Sequence, residues 1–178
     1  GELVAVSDNP IDAIWENQPA APIASVVPHP MEYAGKSSVD KRRDIGAALQ
    51  KDGLDAAVLT APDSVAWLLN IRGGDVSHTP LPLSYAIAHA SGSVDLFIDP
   101  RKLAPEVGAH LGNGVSVAAP DAFPAALEAL AGKSVRVDPN GAASAVFERL
   151  NAGGAVVETG ADPCALPKAC KNEGELTG

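Results

Sequence analysis

Hydrophobic positions along this chain fall into short blocks separated by stretches of helical spacing. Leu54 to Thr60 (LDAAVLT) is a nearly unbroken apolar run, the pattern of a strand covered on both faces. Comparable strand-length blocks occur at Leu83–His89, Val94–Asp99, Gly114–Ala118, Ser134–Asp138 and Ala155–Glu158. Ser91-Gly92 between the second and third of these six blocks predicts a hairpin. A helix is predicted over Val39–Lys51, capped by Ser37 or Ser38, with Asp40 in its first turn and Gly53 as its stop. Its apolar stripe is read as Val39, Ile45, Ala48 and Leu49, with Lys41, Arg42, Arg43 and Gln50 facing outward. Ala61-Pro62-Asp63 opens a second helix, Ser64–Asn70, which places Val65, Leu68 and Leu69 on one side. Further helices are predicted at Arg101–Leu111, closed by Gly112, from an Asp121 cap to Leu130 and Gly132, and at Ala142–Leu150. This alternation gives an α/β fold: a mixed six-stranded sheet with helices on both faces.

The first part of the chain is patterned differently. Gly1–Val6 is read as the end of a strand, and Asn9-Pro10 as the start of a short helix ending near Trp15. Gln18–Pro30 is proline-rich, and proline removes donors and extends its predecessor, so this stretch is read as a linker rather than an element.

Composition narrows the function classes. With 46% hydrophobic residues over 178 positions, the chain can bury a core. Few aromatics are available, so Ala, Val and Leu must fill it. The net charge of −9 opposes binding to nucleic acid or an anionic membrane, both of which need clustered Lys and Arg. No apolar run approaches the roughly 18 residues of a membrane span, and no signal-peptide pattern is present, so a cytoplasmic protein is expected. Cys164 and Cys170 lack the second pair of a zinc site. A disulfide between them stays open on paper, but two small buried or half-buried thiols is the preferred reading.

Candidate chemistry concentrates in one irregular loop, Arg72 to Pro82, where Arg72, Asp75 and His78 occur together with no helical or strand period to explain them. Gly73-Gly74-Asp75-Val76-Ser77-His78 is no phosphate loop, because the glycine spacing and a following Lys-Ser/Thr are missing. The four histidines never take a metal-ligand spacing. Asp138-Pro139-Asn140-Gly141 is read as a turn, not a metal loop.

The run Trp67-Leu68, Asn70, Arg72-Gly73, Asp75, His78, Pro80 and Ser84-Tyr85-Ala86-Ile87 resembles the second domain of the three-domain Xaa-Pro aminopeptidases, in the creatinase/prolidase "pita-bread" superfamily. Asn9–Trp15 with Glu32–Ser37 resembles the end of that family's first domain and its connector, and Pro167–Leu176 resembles the entry into its catalytic domain. The resemblance implies a creatinase N-terminal fold with a ribonuclease H-like motif. It implies three segments: 1–36 as the tail of a preceding domain with its linker, 37–166 as the α/β domain, and 167–178 as the start of a catalytic domain. It implies a parent that removes the residue before proline from peptides, using two divalent ions, commonly manganese. Their five ligands (two Asp, one His, two Glu) would lie in the catalytic domain, so no residue here takes a ligand or catalytic role, and the piece alone is expected to be inactive. The implied partners are the catalytic domain of the same polypeptide and proline-containing peptides, with a homodimeric parent. Arg72, Asp75 and His78 then have two readings: Arg72 and Asp75 pairing or capping backbone to shape the loop, which is preferred, or all three lining a substrate channel. A protein-binding or dimerisation module derived from a non-catalytic relative is the alternative function.

Overall fold

The computed structural model describes Val4, Val6 and residues 9–177. In chain order the elements are β1 (Val27–Pro28), α1 (Met31–Ala34), α2 (Ser38–Lys51), β2 (Ala56–Leu59), α3 (Pro62–Leu69), β3 (Ile71–Arg72), β4 (Tyr85–His89) and β5 (Val94–Phe97). There follow α4 (Pro105–Leu111), β6 (Val115–Ala118), α5 (Phe123–Glu128), β7 (Ser134–Val137), α6 (Ser144–Gly153), β8 (Val156–Thr159), α7 (Ala165–Ala169) and α8 (Glu173–Thr177). Six strands form one sheet in the order β6-β5-β4-β2-β7-β8. The β4–β5 hairpin and the β2–β4 pair are antiparallel, and the β5–β6, β2–β7 and β7–β8 pairs are parallel. The predicted mixed sheet is therefore present, with a strand from each of the six apolar blocks in it.

Alternation along β2 explains the two layers. Ala57 and Leu59 face a core shared with Ile45 and Leu49 of α2, Val65 and Leu69 of α3, and Val107 of α4. Ala56 and Val58 face a second core with Phe123 and Leu127 of α5 and Val146 and Leu150 of α6. A central strand buried on both faces needs no polar positions, which is why its sequence shows none in Ala56–Leu59.

The largest departure concerns α2. Ser37 does cap it, its hydroxyl accepting from the Asp40 amide at 3.0 Å. Its buried stripe, however, is Ser38, Lys41, Arg42, Ile45, Gly46 and Leu49, while Val39 and Ala48 are exposed. The stripe turns toward the two cations because each finds acceptors. Arg42 Nη1 donates to the carbonyls of Gly92 at 3.0 Å and Gly114 at 3.1 Å, and Lys41 Nζ to those around Trp67 and Asn70. Gly46 allows the hairpin backbone to approach: a Cβ there would sit 2.8 Å from the Ala90 carbonyl oxygen.

Three smaller expectations are corrected. Arg101–Leu111 is not one helix but a 3-10 turn at Pro100–Lys102 followed by α4, since Pro105 holds Ala104 extended at ψ 160. Asp121 caps nothing; it lies within a 3-10 turn that leads into α5. Residues 10–14 form hydrogen-bonded turns, begun by Asn9 Oδ1 accepting from the Ile11 amide at 3.0 Å, rather than a helix. The strand expected over Gly1–Val6 lies outside the described residues except Val4 and Val6, which belong to no element.

The last part of the proline-rich stretch is built into the fold. Val27–Pro28 pairs antiparallel with Ile71–Arg72, and Val26 is 1% exposed within the α2–α3–α4 core.

Gly46→Ala raises helix propensity by about 1 kcal/mol yet should lower stability by about 1–3 kcal/mol through the clash with the hairpin. A urea titration checks this: the midpoint should fall with an unchanged slope.

Candidate functional site

The Arg72–Pro82 loop closes on itself. Gly73 donates its amide to the Pro80 carbonyl at 3.2 Å, and Asp75 donates to Leu81 at 3.3 Å. A bridge between Val76 and Thr79 forms the tip, where His78 has φ 59. Asn and His tolerate this left-handed region better than branched residues do. Gly73 is needed because a Cβ there would lie 2.8 Å from Pro82.

The three candidate residues occupy different surroundings. Arg72 and Asp75 do not pair. Asp75 has a fully buried side chain and pairs with Lys102 at 2.6 Å. It also accepts from the amides of Ala24 at 3.1 Å and Leu83 at 2.8 Å. It anchors the loop by capping backbone amides. His78 is exposed at the tip. Arg72 alone lines a cavity.

That cavity, about 540 Å³, opens along α3, which lines it with Asp63, Ala66 and Trp67. Its walls include His29, Tyr33, Trp67, Arg72, Pro80 and Leu81. The C-terminal segment completes the lining through Lys168, Lys171 and Glu175, with Asp63 paired to Lys168. Lys168 forms an ion pair with Asp63 and lies 3.4 Å from the Ser64 hydroxyl. Asn172 and Glu175 exchange hydrogen bonds at 2.9 and 3.0 Å as a capping box, and Asn172 Nδ2 donates to the Ala34 carbonyl at 2.9 Å. The segment is thus docked on α1 and α3.

Behind Trp67 stands Lys41. Its ammonium donates to the Trp67 carbonyl at 3.1 Å and to Asn70 Oδ1 at 2.7 Å, and lies 4.5 Å from the Trp67 ring centroid. Asn70 ends α3 in the left-handed region at φ 50, passes its other side-chain group to the Lys36 carbonyl, and receives the His29 amide on its own carbonyl. Burial pulls Lys41 down to about 8; Glu175 offsets part of this, and Arg72 and Lys36 add to it. Burial also lowers His29, with Arg72 and Lys41 acting in the same direction. Burial lowers Arg72 from its ordinary value, opposed by Glu175. Asp63 is raised by burial, but the hydrogen bond and charge of Lys168 prevail and leave it below the usual carboxylate range.

The residues do not fit a pair of divalent ions. Among the described residues no three His, Cys, Asp or Glu side chains gather as a donor set. His89 pairs with Asp95 at 2.8 Å and His110 contacts the Leu69 carbonyl at 2.9 Å, on separate elements. Cys164 is buried and Cys170 exposed, both free. Asp138 accepts from the amides of Asn140 and Asp162, the turn expected there.

Sequence reasoning singled out Arg72 but missed Lys41, Lys102, His29, Tyr33 and the C-terminal trio. For Lys41 a signal existed: positions 38, 41, 45 and 49 share one helical face. For Lys102, 27 residues from Asp75, none did.

Residues 17–175 match the family model described as the creatinase/prolidase N-terminal domain. The chain is 35% identical over 187 residues to a probable Xaa-Pro aminopeptidase P of Leptosphaeria maculans, covering 100% of this chain and 31% of that protein. It is 37% identical over 186 residues to one from Aspergillus niger, covering 99% and 30%. It superposes on an X-prolyl aminopeptidase from Caenorhabditis elegans, described as a cytosolic enzyme with a di-nuclear active site, with a TM-score of 0.86 and 27% identity. That match covers 98% of this chain and 29% of the worm enzyme. The N-terminal domain of the peptidase PepQ from Mycobacterium tuberculosis shares the fold at a TM-score of 0.53 and 15% identity, over 70% of this chain and 95% of that domain. The chain spans about a third of the length of the curated relatives it matches.

Asp75→Asn leaves the Lys102 ammonium buried without a counter-charge and should cost about 3–5 kcal/mol. Adding Lys102→Met should recover part of that loss in the same denaturation experiment, the sign of direct coupling. Lys41 gives a pH signature. Its folded value, about 8, lies below the ordinary 10.5. Between these the unfolded chain holds more protons, so wild-type stability relative to Lys41→Met should climb as pH rises from 8 to 10.5 and stay flat below 8.

Proposed function

Because the chain belongs to the creatinase/prolidase N-terminal domain family, we propose that it is a non-catalytic lobe of a metal-dependent Xaa-Pro aminopeptidase. The parent removes the residue preceding proline from the N-terminus of peptides, and its two metal ions, most simply manganese, are held by a catalytic domain of the same polypeptide. The lobe packs against that domain and narrows the approach to it, which admits short peptides and turns away folded proteins. A homodimeric parent and a cytoplasmic location belong to the same proposal, as does a division into segments 1–36, 37–166 and 167–178. Across the proposed boundaries, Val27–Pro28 pairs with Ile71–Arg72 and Lys168 of α7 pairs with Asp63 of α3.

The observation that carries the reading is the agreement of fold and sequence over the whole chain with Xaa-Pro aminopeptidases: 35–37% identity to the fungal proteins and a TM-score of 0.86 on the worm enzyme. The scattered histidines and the lack of a gathered donor set among the described residues support placing the chemistry elsewhere. Arg72 supports the channel reading, since it lines the cavity; Asp75 holds the loop from behind, and His78 stands exposed at its tip, outside the cavity lining.

Incubating the 178-residue chain with a peptide that has proline in its second position, plus manganese, should release no N-terminal amino acid above the enzyme-free rate. Sustained release that a chelator abolishes would overturn the assignment.

A further inference from the structure

The chain as a whole carries −9, yet the walls of the cavity beside α3 hold three cations, Arg72, Lys168 and Lys171, against two carboxylates, Asp63 and Glu175. One pair is already spent, Lys168 on Asp63. Arg72 is half-buried, and among the described residues it makes one hydrogen bond, from Nη1 to the neighbouring Ile71 carbonyl at 2.9 Å. No carboxylate reaches ion-pair distance of it among those residues. A guanidinium has five N–H donors in a rigid fork that matches a carboxylate. Leaving most of them without protein partners inside a concavity is the arrangement expected of a ligand site. The charge of Glu175 opposes the lowering of Arg72, Lys41 and His29, but its carboxylate is engaged with the Asn172 amide.

Beside the fork lie Tyr33, Trp67, Pro80 and Leu81, an apolar and aromatic wall. A volume near 540 Å³ falls within the span of small-molecule sites, about 300–1,000 Å³. We infer that this cavity is a subsite for the terminal carboxylate of a short peptide, held by the Arg72 fork, with the last side chain against Tyr33, Trp67 and Pro80. Lys171, exposed at the rim and unpaired among the described residues, attracts the anion. Glu175, also in the lining, weakens the same field. The carboxylate preference stands on the cavity; that the ligand is a peptide rests on the proposed function.

The test is a nuclear magnetic resonance titration of the 178-residue chain, following the Trp67 indole and Arg72 Nε–H signals. The probes are N-acetyl-Ala-Ala-Pro as the free acid, the same tripeptide as its amide, and inorganic phosphate. The acid should shift both signals to saturation, and the amide should bind about tenfold more weakly or worse, the scale of one charge-assisted hydrogen bond. Arg72→Gln should weaken the acid by a similar factor, and Glu175→Gln should tighten it about two- to fivefold at low salt. Should Arg72→Gln disturb the amide spectrum, Lys171→Gln replaces it, with an expected loss of about twofold. Equal binding of acid and amide, tighter binding of phosphate, or no saturation even in Glu175→Gln would overturn the inference. That result would leave the peptidase assay above untouched, and release of amino acid in that assay would leave carboxylate binding standing.

Discussion

One buried carboxylate ties together stretches that lie far apart in the chain. Asp75 takes hydrogen bonds from the amides of Ala24 and Leu83 and the ammonium of Lys102, and the carbonyl of Lys102 in turn takes the amide of Val26. The circuit runs from the β1 strap through the loop to the turn before α4 and back. A charge with no exposed surface is tolerable only when every lone pair has such company. Because these contacts fix the entry and exit of the Arg72–Pro82 loop, they also fix where Arg72 stands. The cavity is therefore a consequence of the anchor, although Asp75 is not one of its walls.

The same economy of partners recurs on the α2–α3–α4 face. Lys41, Arg42 and Lys102 are all buried, and each donates to at least one backbone carbonyl of a distant turn or element end, Lys41 also to Asn70 Oδ1 and Lys102 also to Asp75. Arg42 closes the hairpin turn and the start of β6, and Lys41 closes the end of α3. In a chain poor in aromatics, long cationic stems fill space as well as they supply donors. The arrangement ties this face together at three places where helix, hairpin and loop ends meet.

The strand pattern was legible because burial on both faces of the sheet removes polar residues from Ala56–Leu59 and alternates them elsewhere. The hairpin and the Ser37 cap were legible for equally local reasons. The inward turn of Lys41 and Arg42 was not, since their acceptors lie between 26 and 72 residues away. A charged residue at an apolar spacing looks like solvent-facing surface until a distant carbonyl is known to meet it. The break before Pro105 carried a local signal that the helical spacing of Arg101–Leu111 outweighed. Arg72 stood out by composition, but the remaining walls run from His29 to Glu175, and no window of sequence contains them together.

The capping box at Asn172 has a further consequence, through its grip on Ala34. It holds the last helix against α1, more than a hundred residues earlier, and so brings Lys171 and Glu175 to the same cavity as His29 and Tyr33. Cutting the polypeptide at position 166 would preserve the sheet while turning the hollow into an open ledge. The hollow thus depends on the meeting of two distant stretches of the chain, and loosening either one would dismantle it.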